Sequence, residues 1–215
     1  MRVFYDLLIN IVIRHIYEWQ TDFKVFRIRK MIFVTHMEIT PNPNALKYVL
    51  NEQILPNGIC QYDNAQDTED DLSRSLFDIS GVVSVFYRDN FITVTKNDAV
   101  DWIDVENVIK DEINNRIEVV EIKAIEAPKL DFGEKADLIE EIDQILDETI
   151  RPGLGMDGGG VDIIDLSDEM ELTVYYQGAC GSCPSASTGT LMAIQNILQE
   201  QFDPRIMVKS SNPQY

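Results

Sequence analysis

Two β-hairpin patterns, one in each half of the chain, constrain the fold more than any other feature of the sequence. In the first, VVSVFY and FITVT flank Arg88-Asp89-Asn90; in the second, VDIIDL and MELTVYY flank Ser167-Asp168-Glu169. Runs of β-branched and aromatic residues on either side of a short polar turn are typical of paired antiparallel strands. Because helical patterns surround both hairpins, the sequence predicts an α+β fold.

The chain divides where its charge or its periodicity changes. Residues 1–36 hold six Lys/Arg and three Asp/Glu, whereas the whole chain has a net charge of −19. We interpret them as a basic extension that is dispensable or that lies before the true start. Residues 37–122 form a first predicted α+β domain, which we expect to dock or recognise client proteins. Residues 123–133, interrupted by a proline and a glycine, form a predicted linker, and residues 134–210 form a second domain.

Apolar spacing predicts the remaining elements. In the first domain these are strand, turn and strand over 37–50, helices over 70–79 and 101–115, and a strand over 117–122. In the second domain the predicted order is helix, strand, strand, helix, strand, with helices over 134–150 and 184–202 and an edge strand over 205–210. The helix at 134–150 is expected to bury five apolar side chains: Leu138, Ile142, Ile145, Leu146 and Ile150.

Composition excludes several classes of function. A net charge of −19 repels phosphate backbones and anionic lipid, so neither nucleic acid nor a membrane surface is an expected partner. No stretch reaches the roughly 20 apolar residues that span a bilayer. Cys60, Cys180 and Cys183 are the three cysteines, and an odd count with one close pair is not a disulfide framework.

A glycine-rich segment, GLGMDGGG (153–160), matches the dinucleotide pattern G-x-G-x-x-G. That pattern binds pyrophosphate only between a preceding strand and a following helix. Here a predicted helix precedes and a predicted strand follows, so the mechanism is absent. Two interpretations stay open: the segment is a tight helix-to-strand loop, or its small residues let it pack closely against the loop that contains the cysteines.

The pair Cys180-Gly181-Ser182-Cys183-Pro184 is the most informative site. It lies between a predicted strand and a predicted helix, and proline is favourable at the first helical position. That placement puts Cys183 near the helix N-cap, where the helix dipole favours a thiolate, the form that acts as nucleophile or metal ligand.

The spacing leaves three interpretations of this pair. The cysteines are inert, or they form a thioredoxin-like thiol–disulfide pair, or they bind a metal or cluster. An iron–sulfur cluster takes four thiolates, which two chains related by a two-fold axis would supply. A zinc-bridged structural dimer uses the same soft ligands.

A resemblance adds to these patterns. RPGLGMDGGGVDIIDL (151–166) and GACGSCPSASTGTL (178–191) resemble the C-terminal domain of the NifU and Nfu family, and TPNPNALKYVL (40–50) resembles the start of the Nfu N-terminal domain. The resemblance covers roughly residues 31–210. Met192 departs from the family pattern, in which a lysine or another charged residue tends to follow T-L.

The resemblance implies an iron–sulfur cluster scaffold or carrier rather than an enzyme. Cys180 and Cys183 would be the ligands, and the cofactor would be a cluster, generally [4Fe–4S], that bridges a homodimer. The other partners would be a cluster donor and apo-proteins that receive the cluster.

Location and the remaining candidate ligands complete the expectations. Transit segments are usually poor in acids and rich in serine, so the composition of the N-terminal extension favours a bacterial cytoplasm over a mitochondrial matrix. Cys60, His15 and His36 are expected to have no role in the site.

Overall fold

The fold contains two lobes, each built on its own β-sheet, within one compact unit, Ile32–Tyr215. We call residues 32–117 the N-terminal lobe and residues 133–211 the C-terminal lobe. The computed structural model describes residues 31–117, 133–181 and 186–211.

The described N-terminal lobe is a five-stranded sheet with helices on one face. Its strands are β1 (Val34–Ile39), β2 (Ala45–Leu50), β3 (Leu55–Tyr62), β4 (Val82–Asp89) and β5 (Phe91–Lys96), and its helices are α1 (Asp71–Phe77) and α2 (Trp102–Arg116). The strand order is β1-β2-β5-β4-β3, and every neighbouring pair is antiparallel.

Local chemistry explains two boundaries in this lobe. The turn between β4 and β5 has Asp89 at φ 47, a left-handed conformation that aspartate tolerates better than most residues. Asp70 caps α1, since its Oδ1 accepts a 2.7 Å hydrogen bond from the Ser73 N–H, which satisfies one of the free donors of the first turn. Leu72 and Leu76 of α1 pack with Val105 and Ile109 of α2 in the core of the lobe.

The C-terminal lobe has a smaller, mixed sheet. A short 3₁₀ turn (Gly133–Lys135) leads into its elements, which are α3 (Ala136–Thr149), α4 (Arg151–Met156), β6 (Gly159–Leu166), β7 (Glu171–Gly178), α5 (Ala186–Gln201) and β8 (Met207–Ser210). The strand order is β6-β7-β8, antiparallel and then parallel. The described α5 provides the long connection that a parallel pair needs. The predicted α+β class is confirmed, and the predicted order of elements is found with one addition, the short helix α4.

The first strand begins earlier than predicted. The first domain was expected to start at residue 37, but β1 begins at Val34, which is 5 % exposed and pairs with Leu50. The Val34 N–H also donates to Asn114 Oδ1 at 2.8 Å. The change of charge sign that suggested the boundary does not govern strand pairing, so part of the predicted extension 1–36 is part of the sheet.

The glycine-rich segment is only partly a loop. Residues 151–156 form α4, and the turn that follows contains Gly158 at φ +78. Proline in the first turn suits a helix start, and Leu154 is buried in the core of the lobe. That burial offsets the cost of glycine in a helix, which is about 1 kcal/mol each.

Two further elements differ from the sequence expectations. Strand β3 was not predicted, because Pro56 and Gly58 interrupt its pattern; the structure accommodates them with a register shift between Leu55 and Ile59. The predicted strand 117–122 lies outside the described residues except for Ile117, which is helical at the end of α2. The predicted linker also lies outside them up to residue 132.

The lobes have separate hydrophobic cores but contact each other. One core is formed between the five-stranded sheet and α1 and α2, and the other between the three-stranded sheet and α3, α4 and α5. Strand β5 is buried at every position, because helices cover one of its faces and the C-terminal lobe covers the other.

Candidate functional site

Cys180 lies in a tight turn immediately after β7. Its N–H donates to Gln177 O at 3.3 Å, and the next N–H, that of Gly181, donates to Gly178 O at 3.1 Å. Gly178 adopts φ +58, which a residue with a side chain rarely does. The Cys180 side chain points inward, since the residue is 7 % exposed and packs with the core of the C-terminal lobe.

The glycine-rich segment makes room for this cysteine. Gly159, at the start of β6, pairs with Gly178, and a Cβ on Gly159 would lie 2.5 Å from Cys180 Sγ and 2.7 Å from Gln177 O. Real Cβ atoms do not approach that closely, so the thiol occupies the volume that a side chain would fill. Of the two interpretations of this segment, close packing therefore describes Gly159, which lies against Cys180.

Cys183, the second predicted ligand, lies within residues 182–185, which are outside the described residues. The described part of the following helix, α5, begins at Ala186. The positions of Cys183 at the N-cap and of Pro184 at the first helical position therefore stay predictions, as does the role of Cys180 and Cys183 as a ligand pair.

Tyr176 is a neighbour of Cys180 that the sequence analysis missed. It is 2 % exposed, and burial, followed by the nearby Cys180, raises the pKa of its phenol. The alternation along β7 was the available signal, because Leu172, Val174 and Tyr176 occupy every second position and all face the core.

Arg151 anchors the start of the glycine-rich segment. Its guanidinium contacts Asp143 Oδ1 at 2.6 Å and Asp147 Oδ1 at 2.7 Å, and its Nε donates to Val161 O at 3.0 Å. These bonds tie α3 to β6. Gln177 Nε2 in turn donates to Asp162 Oδ2 at 2.7 Å, which joins β6 to the residues before the cysteine turn.

The described residues among the other candidate ligands, Cys60 and His36, belong to strands of the N-terminal lobe. Cys60 is fully buried in β3 within the N-terminal core, and burial raises the pKa of its thiol to about 11. His36 is exposed and bonds to Glu38 at 2.9 Å. The pKa of Glu38 is lowered by hydrogen bonds from Lys47 and then from His36. His15 lies outside the described residues.

The described residues were expected to include no membrane span, and the cysteine pair was expected to bind a metal or cluster. Within the described ranges, no group of three or more His, Cys, Asp or Glu side chains is arranged to hold a metal ion. Among the helices of the same ranges, none combines the length and the apolar character that crossing a bilayer requires.

Models of known protein families match both lobes of the chain. A model of the scaffold protein Nfu/NifU N-terminal domain matches residues 34–119, and a model of the NifU-like domain matches residues 142–209. The chain therefore belongs to the NifU/Nfu family.

The relatives include proteins of animals, plants and yeast. The human mitochondrial NFU1 iron-sulfur cluster scaffold homolog is 35% identical, with 74% of this chain and 65% of that protein covered. The mitochondrial NifU-like protein 5 of Arabidopsis thaliana is 28% identical, with 86% and 74% covered. A solution structure of a NifU-like protein from Saccharomyces cerevisiae matches 41% of this chain and 82% of that one at 24% identity, with a TM-score of 0.37.

These relatives correct the expected location. The composition of residues 1–36 favoured a bacterial cytoplasm, but the human relative and two Arabidopsis relatives are named as mitochondrial proteins. The expectation of a cytoplasmic protein is wrong, because the acids on which it rested are a weak composition signal beside similarity over most of the chain.

Proposed function

We propose that this chain is a scaffold or carrier of iron–sulfur clusters, with Cys180 and Cys183 as its ligands. Membership of the NifU/Nfu family and the similarity to the human iron-sulfur cluster scaffold homolog support the proposal. At the site, the supporting observation is the environment of Cys180: a tight turn and the absent side chain of Gly159 accommodate the thiol of Cys180, which is the first cysteine of a C-x-x-C pair in the sequence.

The number of ligands favours a cluster shared between two chains. Thiolates are the soft ligands that iron–sulfur clusters use, and a cluster typically takes four of them. One C-x-x-C pair supplies two of these thiolates. We therefore propose a homodimer bridged by a cluster of the [4Fe–4S] type, in which each chain contributes Cys180 and Cys183.

Transfer follows from the same chemistry. A thiolate of the receiving apo-protein binds an iron atom as the thiolate of Cys180 or Cys183 leaves it, so ligands exchange while the iron and sulfide of the cluster are retained. The cluster is the cargo of the protein, and the activity is holding and delivery rather than catalysis. We place this activity in the mitochondrion, in keeping with the names of the relatives.

Anaerobic reconstitution with iron and sulfide tests the proposal. The wild-type chain should become brown, bind about one cluster per two chains and double its mass in solution. Cys180→Ala and Cys183→Ala should each lose the colour and the dimer. Cys60→Ala is the matched control, because it removes a thiol buried in the other lobe, and it should retain the cluster.

Two other results would contradict the scaffold proposal. A colourless wild-type monomer that reduces a test disulfide through Cys180 and Cys183 would replace the scaffold proposal with a thiol–disulfide oxidoreductase. A colourless dimer containing zinc would replace it with a structural zinc site.

A further inference from the structure

The sheet of the N-terminal lobe contacts the cysteine turn of the C-terminal lobe directly. The side-chain amide of Asn42 donates to Ala179 O at 2.9 Å, and the Thr93 hydroxyl donates to Gly158 O at 2.8 Å. Asn42 is 2 % exposed and Thr93 is 1 % exposed. Ala179 precedes Cys180, so the first of these bonds acts on the backbone beside the predicted ligand.

The hydrogen bond from Thr93 acts on Gly158, which bonds to the backbone of Ala179 beside the cysteine turn. Gly158 O accepts the N–H of Ala179 at 3.1 Å as well as the hydroxyl of Thr93. A Cβ on Gly158 would lie 3.0 Å from Thr93 Oγ1, so the absence of a side chain is what lets the lobes approach here. The residue just before β6 and the residue just after β7 therefore both accept hydrogen bonds from side chains of the N-terminal lobe.

Two more side chains extend the contact. Lys47 Nζ donates to Gly155 O and Met156 O, each at 3.2 Å, and it pairs with Glu38 Oε2 at 2.9 Å. Gln61 Oε1 accepts the N–H of Gly178 at 2.9 Å. We call Asn42, Lys47, Gln61 and Thr93 the clasp residues.

The character of the contact suits one that opens. Each lobe has its own hydrophobic cluster, and the hydrogen bonds between the lobes join polar side chains to backbone groups. The contact also has an apolar part, because the buried ring of Phe86 lies beside Gly178. Interfaces between domains of one chain are usually more polar than obligate interfaces, and relative motion of the domains is the ordinary expectation for them.

We propose that the N-terminal lobe is an intramolecular cap on the cysteine turn, and that the cap must open before a cluster is loaded. This inference rests on the proposed cluster-binding function. In the closed state Cys180 is 7 % exposed, whereas a cluster shared by two chains needs thiols that reach a second molecule. The clasp restrains Ala179 and Gly158, which are the backbone that has to move for the Cys180 thiol to leave the core.

Asn42→Asp is the sharpest variant. The Asn42 Oδ1 atom accepts the N–H of Asn44 at 3.0 Å within the N-terminal lobe, and a carboxylate retains that role. The donor to Ala179 O is replaced by an oxygen that repels it. Asn90→Asp is the matched control, because Asn90 Nδ2 also donates to a backbone carbonyl, that of Leu50 at 3.3 Å, but within the N-terminal lobe. Thr93→Val removes the second bond without a change of charge.

The first measurement is the rate of Cys180 alkylation in the full-length apo chain. A Cys183→Ser background leaves Cys180 and the buried Cys60 as its thiols. If the lobes open before the thiol reacts, losing one clasp bond should raise the rate roughly fivefold in Asn42→Asp and in Thr93→Val, with no increase in Asn90→Asp. Far-UV circular dichroism establishes that each variant is folded.

The second measurement is the rate of cluster loading with Cys183 present. The proposal expects Asn42→Asp and Thr93→Val to load iron and sulfide faster than wild type, by the same factor as alkylation. Unchanged alkylation in both folded variants would overturn the cap. Faster alkylation with unchanged loading would overturn its link to loading. A wild-type chain that binds no cluster would overturn the proposed function instead, and the alkylation result would stand separately.

Discussion

At the scale of single residues, the glycines of the segment before Cys180 differ in their packing environments. A Cβ on Gly159 would meet Cys180 Sγ at 2.5 Å, whereas a Cβ on Gly153 or Gly155 would meet nothing within 4 Å. All three belong to one glycine-rich stretch of the sequence. The requirement for glycine therefore depends on which neighbour packs against each Cα, and only Gly159 of these three lies against the thiol.

Gly159→Ala should destabilise the fold and impair cluster retention. Its methyl group would force apart Cys180 and β6, and overpacking of this kind costs about 1–3 kcal/mol. The measurements are the urea midpoint of the apo chain and the iron and sulfide retained after reconstitution.

Gly155→Ala is the control for that variant. It lies in α4 with open space around its Cα, so alanine should be neutral or stabilise by up to about 1 kcal/mol. Equal losses in both variants would contradict the role assigned to the space beside Cys180.

At the scale of elements, the buried face of α3 differs from the one that apolar spacing predicted. Ile139, Ile142 and Leu146 are buried, and Leu138 is 39% exposed. Leu138 and Ile139 are adjacent and both apolar, so the helical period alone does not determine which of them faces the core. The packing of α3 on β6 and α5 makes that choice.

From the bounds of β1 we predict how much of the N-terminal extension can be removed without loss of stability. A chain that starts at Met31 keeps all of β1, whereas one that starts at Met37 loses Val34, its pairing with Leu50 and its bond to Asn114. Losing a buried valine and a backbone hydrogen bond should lower the free energy of unfolding by about 2–4 kcal/mol.

The comparison uses the two shortened chains in urea, with the full-length chain as reference. The Met31 start should match the full-length midpoint, and the Met37 start should unfold at lower urea. If both shortened chains unfolded at the same urea concentration, the described part of β1 before Met37 would contribute nothing to stability.

At the scale of the whole molecule, buried groups that lose a proton at high pH set the alkaline limit of the fold. Desolvation is the first cause of a raised pKa for Cys60 and for four tyrosines; the tyrosines are Tyr48, Tyr62, Tyr87 and Tyr176. They lie in both lobes, so each lobe depends on keeping these groups protonated.

Stability should therefore fall as the pH rises above about 9. A group whose pKa is higher in the folded state stabilises the fold fully below its unfolded pKa and loses that contribution as the pH rises through its folded pKa. For Cys60 the pKa moves from 9.0 to about 11, which corresponds to about 2–3 kcal/mol. The measurement is the urea midpoint between pH 7 and pH 11.

Cys60→Ala separates the contribution of the thiol from that of the phenols. Its urea midpoint should decline less steeply between pH 9 and pH 11 than that of wild type, because the variant has no thiol to ionise. A wild-type midpoint that stays constant over this interval would contradict the assignment of raised pKa values to these buried groups.

The sequence by itself determined the α+β class, both hairpins, most helices and the C-x-x-C pair. Each depends on residues within a few positions of one another: turn residues between apolar runs, or apolar side chains at helical spacing. The resemblance to the NifU/Nfu family, confirmed by both family models, also rests on short local motifs such as the one that contains Cys180.

Only the tertiary structure decided where β1 begins, that residues 151–156 are helical, that Gly159 adjoins the thiol, and that Asn42 reaches Ala179. Asn42 and Ala179 are 137 positions apart in the chain. Contacts of this kind arise when whole faces of sheets and helices find partners, and the energy of that packing depends on the shape of both surfaces. A local sequence pattern describes only one of the two surfaces that meet. Periodicity and turn chemistry therefore determined the elements, and packing determined which residues each element contacts.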